Sequence, residues 1–199
     1  MKVKNSREFF YNIILNLKFK NENKIFTHLT GEEKIELYRL AKNTSGIYVE
    51  IGSYLGASAN FIARGIYKNK TDYSLLYCVD TWKNEEMSEG KRDTYEEFLI
   101  NTKKFKDVIH PLRGYSVEIA KAFVKSIDFL FIDGDHRYEG VNSDVQVWLP
   151  KLKQGGIIIF HDIKWANGVK RTVQESIKPI VEQEKLMSNL YWAKVHRNS

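Results

Sequence analysis

The chain has little of the features that mark a disulfide-bonded or secreted protein. Its 199 residues include a single cysteine, Cys78, and three prolines. One cysteine cannot form a disulfide within the chain, which excludes a disulfide scaffold. Cys78 lies in the apolar run 75–79, so we expect a buried thiol and a reducing, cytoplasmic setting. The length suits a single domain with a sizeable core.

Long apolar runs and concentrated charge are also missing. No run approaches the roughly 20 apolar residues of a membrane-spanning helix. Near the N-terminus, Asn12 and Asn16 interrupt the apolar residues and no cleavage site of small residues follows. We interpret this stretch as an amphipathic helix and not as a signal peptide. The net charge is +6, but the basic residues are scattered, so we expect neither a nucleic-acid nor a membrane partner.

One stretch in the second half of the chain has the clearest pattern. The apolar run 128–132 ends at Asp133-Gly134 and predicts a buried strand. Apolar residues then recur at steps of three and four over 138–152, which predicts an amphipathic helix. Gly155-Gly156 are expected to end this helix, and the run 157–160 predicts a second buried strand. Together they form a βαβ unit with parallel strands.

Five ionisable side chains follow these two strands. Asp133, Asp135 and His136 come after the first strand, and His161 and Asp162 come after the second. Asp-Gly is common at turns for structural reasons alone. Ligands of open parallel sheets, however, bind beyond the carboxyl ends of the strands. Two such exits on neighbouring strands therefore favour a functional site.

The dinucleotide fingerprint G-x-G-x-x-G is missing from the first strand–turn–helix segment. Strand 47–51 leads to Gly52 and Gly56, and a helical pattern follows through residue 66. Gly52 permits positive φ and close backbone approach, and a helix N-terminus offers free N–H groups. The carboxylate of Glu50 would repel a pyrophosphate and suits a cationic ligand. A nicotinamide-binding oxidoreductase is thus disfavoured but stays an alternative, as does a non-catalytic subunit that binds an adenosine ligand.

The remaining segments extend the predicted sheet. The second strand ends at Asp80, whose carboxylate can accept both hydroxyls of a ribose. Segment 82–89 is polar and irregular, and we interpret it as a mobile flap. A helix is expected at 93–106, a third strand at 107–114, and a helix through about residue 124.

The two ends of the chain have different patterns. Residues 1–44 are expected to form an N-terminal helical cap, in which Thr30 and Glu33 match a capping box. Residues 180–195 alternate as a β-hairpin. We place the ligand-binding domain at 45–199.

Five motifs, in this order, resemble those of class I S-adenosylmethionine-dependent methyltransferases. They are VEIGSYLGAS at 49–58, VD at 79–80, GYS at 114–116, FIDGDH at 131–136 and FHD at 160–162. The likeness spans about residues 46–175 and is greatest to metal-dependent small-molecule O-methyltransferases of the catechol and macrolide-sugar types. It implies a doubly wound, Rossmann-like α/β fold, with seven mostly parallel strands and an antiparallel C-terminal hairpin. The implied reaction is methylation of a hydroxyl on a sugar, glycoside or other small metabolite.

The resemblance also implies roles for single residues. S-adenosylmethionine would contact the first motif, the ribose-binding acid, the residue beside the adenine and the acid after the fourth strand: Glu50, Gly52, Tyr54, Gly56, Ser58, Asp80, Ser116 and Asp133. A divalent metal, Mg²⁺ or another, would be held by Asp133, His161 and Asp162. His136 matches the general base, which is a lysine in catechol-type members and a histidine in sugar-modifying members.

His161 departs from the family pattern, which usually has Asp or Glu there. Imidazole suits zinc, iron or manganese better than magnesium. A different metal, a role of His161 toward the substrate, and loss of the metal site all stay open. With reference pKa about 6.5, His136 could accept the proton of an acceptor hydroxyl near neutral pH. The expected partner is this small-molecule acceptor, and a homo-oligomer is compatible with the sequence.

Overall fold

The computed structural model describes residues 2–69, 73–84 and 90–196. Its strands are β1 (Ile47–Ile51), β2 (Leu75–Asp80), β3 (Ile109–Arg113), β4 (Ile127–Ile132), β5 (Leu152–Phe160), β6 (Val181–Met187) and β7 (Leu190–Val195). Its α-helices are α1 (Lys2–Lys18), α2 (Gly31–Lys42), α3 (Ala57–Asn69), α4 (Tyr95–Thr102), α5 (Ser116–Ala122), α6 (Tyr138–Trp148) and α7 (Asn167–Thr172). The strand order is β3-β2-β1-β4-β5-β7-β6, with β1 to β5 parallel and β7 antiparallel to both neighbours. The predicted α/β architecture, including the hairpin, is confirmed.

Each face of the sheet has its own hydrophobic core. Helices α2, α3 and α4 cover one face, and α5, α6 and α7 cover the other. Successive side chains of a strand point to opposite faces, so Tyr48 enters the first core and Val49 the second. Cys78 is fully buried in the first core, as its apolar surroundings in the sequence predict.

Of the two N-terminal helices, α2 packs onto the first core, and α1 joins a smaller separate cluster through Leu15. The capping box of α2 is present: Thr30 N donates to Glu33 Oε2 (2.7 Å), and Glu33 N donates to Thr30 Oγ1 (3.4 Å). Helix α2 lies so close to α3 that a Cβ on Gly65 would be 2.7 Å from the Tyr38 carbonyl oxygen. The boundary placed at residue 44 stays a prediction. Over the described part of the chain, every helix is too short or too polar to cross a bilayer.

The structure corrects the connection between α6 and β5. The predicted helix ends at Trp148 and not at residue 152, and a 3₁₀ turn containing Pro150 follows it. Strand β5 begins at Leu152, so Gly155-Gly156 lie inside the strand. Gly155 has φ +72°, and the pairing of β5 with β4 shifts register before Ile157. The glycine pair therefore permits a β-bulge in β5 and does not end α6 as the sequence had predicted; both roles are common for glycine.

The start of the predicted flap belongs to the core. Trp82 is fully buried, and its ring centroid lies 4.9 Å from that of Tyr95 and 4.7 Å from that of Phe98. Asn84 is buried as well. Residues 85–89 of the predicted flap lie outside the described residues. Packing against α4 thus overrides the polar character of the local sequence.

Candidate active site

A cavity of about 1140 Å³ opens at the carboxyl ends of the parallel strands. It lies where the strand order reverses between β1 and β4, the usual ligand position in such sheets. Its volume is large enough for a cofactor and a small acceptor together. Most of the predicted site residues line it: Gly52, Tyr54, Ser58, Asp80, Ser116, Asp133, Asp135, His136, His161 and Asp162. Glu50 and Gly56 are not part of its wall.

Gly52 lets the loop after β1 touch the loop after β4. Its φ is +82°, and a Cβ there would lie 2.1 Å from the carbonyl oxygen of Asp133. Asp133 N donates to Ile51 O (2.8 Å), and Gly52 N donates to Val79 O (3.0 Å). The glycine is therefore needed for backbone packing on both sides of the switch point, in addition to any ligand contact.

Asp80 holds the same loop from the side of β2. Its Oδ2 accepts from Ser53 N (2.9 Å) and Tyr54 N (2.8 Å), and its Oδ1 accepts from Trp82 N (2.7 Å). A carboxylate has about four acceptor sites, so Asp80 can still accept from a ribose. Its structural bonds are a second role that the sequence pattern did not indicate.

Glu50 is a fully buried acid. Its residue exposure is 0%, and neither carboxylate oxygen has a hydrogen bond within the described part of the chain. Burial raises the pKa of this carboxyl to about 7, while the nearby polar groups of Ser53, Ser58 and Cys78 oppose the rise. The Ser53 hydroxyl on the cavity wall likewise has no partner among the described residues. Unsatisfied acceptors behind this wall suit a ligand with positive charge.

His136 and Asp162 form a hydrogen-bonded dyad. Asp162 Oδ2 lies 2.8 Å from His136 Nε2, although the two residues follow different strands. This hydrogen bond raises the pKa of His136 in spite of partial burial. The ring of Trp165 packs edge-on against the imidazole with centroids 4.8 Å apart. The contacts at Nε2 and the ring face fix the histidine and leave Nδ1 as its second polar atom.

His161 lies behind this dyad and contacts three carboxylates. Its Nδ1 is 3.2 Å from Asp133 Oδ1 and 3.2 Å from Asp162 Oδ1, and its Nε2 is 3.5 Å from Glu33 Oε2. Burial favours the neutral ring, but the three carboxylates outweigh it and raise the pKa of His161 to about 12. The imidazolium therefore neutralises charge between α2 and the exits of β4 and β5.

Asp162 is the most heavily hydrogen-bonded acid of the site. Its φ is +59°, uncommon for a residue with a side chain. Its Oδ1 accepts from Trp165 Nε1 (2.7 Å) and Asn189 Nδ2 (2.6 Å). Burial opposes ionisation, but the bonds from His136 and His161 outweigh it and hold the pKa of Asp162 well below its ordinary value.

A metal-ligand geometry is present, with one difference from the predicted set. Among the described residues, the donors that gather within 4.8 Å of one another belong to Asp133, His136 and Asp162. His161, predicted as the ligand, is not part of this group; its Nδ1 lies 3.2 Å from Asp133 Oδ1 and 3.2 Å from Asp162 Oδ1. One imidazole with two carboxylates suits manganese, iron or zinc as well as magnesium. The role of His161 as a metal ligand stays a prediction.

Sequence reasoning missed Asp144, an acid on the inner face of α6. It is 6% exposed and lines the cavity. Burial raises its pKa to about 6, although the Ser116 hydroxyl favours the ionised form. Ser116 Oγ in turn accepts from Trp148 Nε1 (2.7 Å). The helical spacing could have indicated that Asp144 is buried: it follows Val141 by three residues and precedes Trp148 by four, so it lies on the apolar face of α6.

Comparisons with known proteins agree with this fold. A family model described as a methyltransferase domain matches residues 49–163. The solved structure of the O-methyltransferase NovP has a TM-score of 0.67 at 16% identity, covering 86% of this chain and 82% of that chain. The O-methyltransferase TomG from Streptomyces achromogenes, solved in complex with S-adenosylmethionine, has a TM-score of 0.65 at 14% identity, covering 85% and 82%. Protein R132 of Acanthamoeba polyphaga mimivirus is 27% identical over 139 residues, 67% of this chain.

The fold and the position of the site define a class I methyltransferase architecture, which the solved structures share. The family model spans residues 49–163, more than half of the chain. The chain therefore belongs to this methyltransferase family, and the corresponding prediction is confirmed. It spans 60% of the length of the mimivirus relative and 13% of a relative from Sinorhizobium fredii.

Proposed function

We propose that the chain transfers the methyl group of S-adenosylmethionine to a hydroxyl of a small metabolite, such as a sugar or glycoside. The observation that supports this most directly is the His136–Asp162 dyad at the edge of the cavity. A neutral hydroxyl is a poor nucleophile, so methyl transfer to oxygen needs a group that accepts its proton. The alternative of a nicotinamide oxidoreductase is not retained, because the family match is to methyltransferases.

The cavity has the features that a sulfonium cofactor requires. The close contact of Gly52 with the Asp133 backbone brings the loops after β1 and β4 together at the cavity. Glu50 is buried just before this glycine, and Ser53 lines the cavity just after it; neither side chain has a hydrogen-bond partner among the described residues. Asp80 uses three of its about four acceptor sites for backbone N–H groups and retains one for a ribose hydroxyl. When bound, S-adenosylmethionine supplies an electrophilic methyl group. The protein orients it against the acceptor and excludes water.

His136 acts as the general base in this proposal. Asp162 holds the imidazole through Nε2, so Nδ1 is the atom that accepts the proton of the acceptor hydroxyl. Trp165 fixes the ring plane, and Asn189 and His161 fix Asp162. A divalent cation bound by Asp133, His136 and Asp162 would take a ring nitrogen of His136 and would polarise the hydroxyl itself, so metal binding and the general base are alternative uses of this group.

The test separates cofactor binding from turnover. Calorimetric titration with S-adenosylmethionine, with and without Mg²⁺, Mn²⁺ or Zn²⁺, is followed by a methyl-transfer assay on hydroxylated sugars, glycosides and phenols. We expect His136→Asn to retain cofactor binding and to lose about 100-fold or more in turnover. His110→Asn is the matched control, because His110 lies in the edge strand β3 beside Tyr77 of β2 and does not line the cavity.

Two results would contradict the proposal. Absence of cofactor binding under every metal condition would reject the methyl donor. Unchanged turnover in His136→Asn would reject the general base while leaving the methyltransferase reaction in place. Turnover that survives chelation and is not raised by any of the three metals would assign the donor group to proton transfer alone.

A further inference from the structure

Glu33 is a buried carboxylate that connects α2 with two loops of the candidate active site. Its exposure is 0%. Its Oε1 accepts from Asn189 N (2.6 Å), and its Oε2 lies 3.5 Å from His161 Nε2. The second contact is an ion pair and not a hydrogen bond, because it is longer than an N–H···O hydrogen bond. The capping box needs only the bond from Thr30 N, so both contacts go beyond helix capping.

Asn189, in the turn between β6 and β7, connects Glu33 with Asp162. Its backbone N donates to Glu33, and its Nδ2 donates to Asp162 Oδ1 (2.6 Å). Two further bonds fix it to the loop after β5: Ile163 N donates to Asn189 O (3.3 Å), and Lys164 N donates to Asn189 Oδ1 (2.9 Å). A displacement of Asn189 would therefore be transmitted to Asp162.

His161 is the second connection from Glu33 to the dyad. It is 4% exposed, and its Nδ1 lies 3.2 Å from Asp133 Oδ1 and 3.2 Å from Asp162 Oδ1. A side chain without a proton to donate at position 161 would leave Glu33, Asp133 and Asp162 facing one another with no donor between them. Like charges at such distances are costly when they are buried. Glu33 and His161 are therefore complementary partners across the contact between α2 and β5.

This inference rests on the proposed role of His136 as general base. Asp162 Oδ2 contacts His136, while Asp162 Oδ1 accepts from Asn189. We propose that Glu33 is a positioning residue for the general base. Through Asn189 and His161 it sets the orientation of the Asp162 carboxylate, and that carboxylate orients the imidazole of the base. Glu33 is not among the described residues that line the cavity, so it acts without contacting either substrate.

The experiment compares two buried acids of the same helix. Glu36 is the matched control: it is 5% exposed, its Oε1 accepts from Trp192 Nε1 (2.9 Å), and Lys185 Nζ lies 3.4 Å from the same oxygen. It thus joins α2 to the β6–β7 hairpin, as Glu33 does, but it has no contact with the dyad among those described. Glu33 and Glu36 are each replaced by Gln and by Ala, and Glu33→Gln keeps the test decisive where an alanine variant fails to fold.

Three measurements separate positioning from folding. Steady-state kinetics use the sugar, glycoside or phenol that wild type methylates. Urea unfolding and calorimetry with S-adenosylmethionine report stability and cofactor binding. The imidazole ¹⁵N signals of His136, assigned by their absence in His136→Asn, report the dyad without any acceptor.

The Glu33 variants should lose rate and not affinity. We expect Glu33→Ala to lower kcat about 10- to 100-fold, because small displacements of a catalytic group slow the reaction strongly. Glu33→Gln should lower it about 10-fold or less, because an amide oxygen can still accept from Asn189 N. The acceptor KM and the cofactor affinity should stay within about 3-fold of wild type. Adding Asn189→Ala to Glu33→Ala should lower kcat little further, because both changes act on one carboxylate.

The Glu36 variants should lose stability but keep kcat within about 2-fold of wild type. Glu33→Ala should shift the His136 signals, and Glu36→Ala should leave them in place. A folded Glu33 variant with wild-type kcat and unshifted His136 signals would assign Glu33 to the fold alone, while the methyltransferase proposal stands. An equal loss of kcat in the Glu36 variants would also overturn the inference, because it would trace the effect to the packing of α2. If wild type methylates no acceptor, the proposed function fails, and unshifted His136 signals would still reject Glu33 as a positioning residue.

Discussion

The buried acid Asp144 should reduce the stability of the ligand-free protein. Burial raises its pKa to about 6, from an ordinary value of 3.8. A shift of about two units corresponds to about 3 kcal/mol of preference for the neutral acid in the folded state. Because Asp144 is only 6% exposed, solvent screening removes little of this energy. Asp144→Asn should therefore stabilise the fold at neutral pH.

The sign of the effect depends on pH. Well below the ordinary pKa of 3.8 the acid is protonated in both states, so wild type and Asp144→Asn should approach equal stability there. As pH rises from about 4 to about 6 the unfolded state ionises first, and the wild type loses stability relative to the variant. Above about pH 6 the difference should reach its full value, equivalent to roughly 6 to 12 °C in Tm for a chain of this size.

The assay is thermal and urea unfolding of both proteins without ligand at pH 4, 5, 6 and 7.5. Taking the difference between wild type and Asp144→Asn cancels the titration of groups that both proteins share. Glu118→Gln, an exposed carboxyl on α5, should show no comparable gain at any pH. A gain that is the same at pH 4 and pH 7.5, or no gain at all, would refute the reasoning, since neither follows from a raised pKa.

Three further changes test the loop, the cap and the dyad. Gly52→Ala should lower stability by at least about 2 kcal/mol in urea unfolding, because the positive φ is strained and the Cβ meets the Asp133 carbonyl; an unchanged midpoint would contradict the close contact. Thr30→Ala should lower the free energy of unfolding in urea by about 0.5–2 kcal/mol, because the N-cap hydrogen bond is lost. An unfolding free energy equal to that of wild type would argue against a stabilising N-cap. Asn189→Ala should reduce turnover about 10-fold with little change in calorimetric cofactor affinity, because Asp162 loses one hydrogen bond; an unchanged rate would place Asn189 outside catalysis.

Much of the fold could be predicted because its signals are local. Periods of two and of three to four residues place the strands and helices within a few positions. The capping box of α2 was predictable because both partners lie within four residues of each other. The strand after α6 was misplaced because a glycine pair is compatible with a helix end and with a β-bulge. Only the pairing of Ile127 with Leu152 distinguishes the two, and that is a tertiary contact.

Less of the site than of the fold could be predicted, because most of its contacts are tertiary and have no local sequence signal. Parallel strands bring their carboxyl ends together, so the position of Asp133, His136 and Asp162 at one edge follows from topology alone. Topology does not determine which histidine contacts which carboxylate, because these contacts depend on differences of an ångström or two in the positions of separate loops. Glu33 reaches Asn189 across 156 positions of sequence and His161 across 128, the difference between their numbers. No local pattern encodes such a pair.

The position of Asp144 is unfavourable for the stability of the fold. A buried carboxyl whose pKa rises is a net cost to folding, and a helix with an apolar inner face has no structural use for it at that position. Residues of this kind persist where a ligand repays the cost. The same argument does not apply to Glu22, which is equally buried but pairs with Arg64 and Lys104. Among the described residues, Glu22 thus has cations as partners and Asp144 has none, and the pH-dependent gain in stability expected for Asp144→Asn tests this difference.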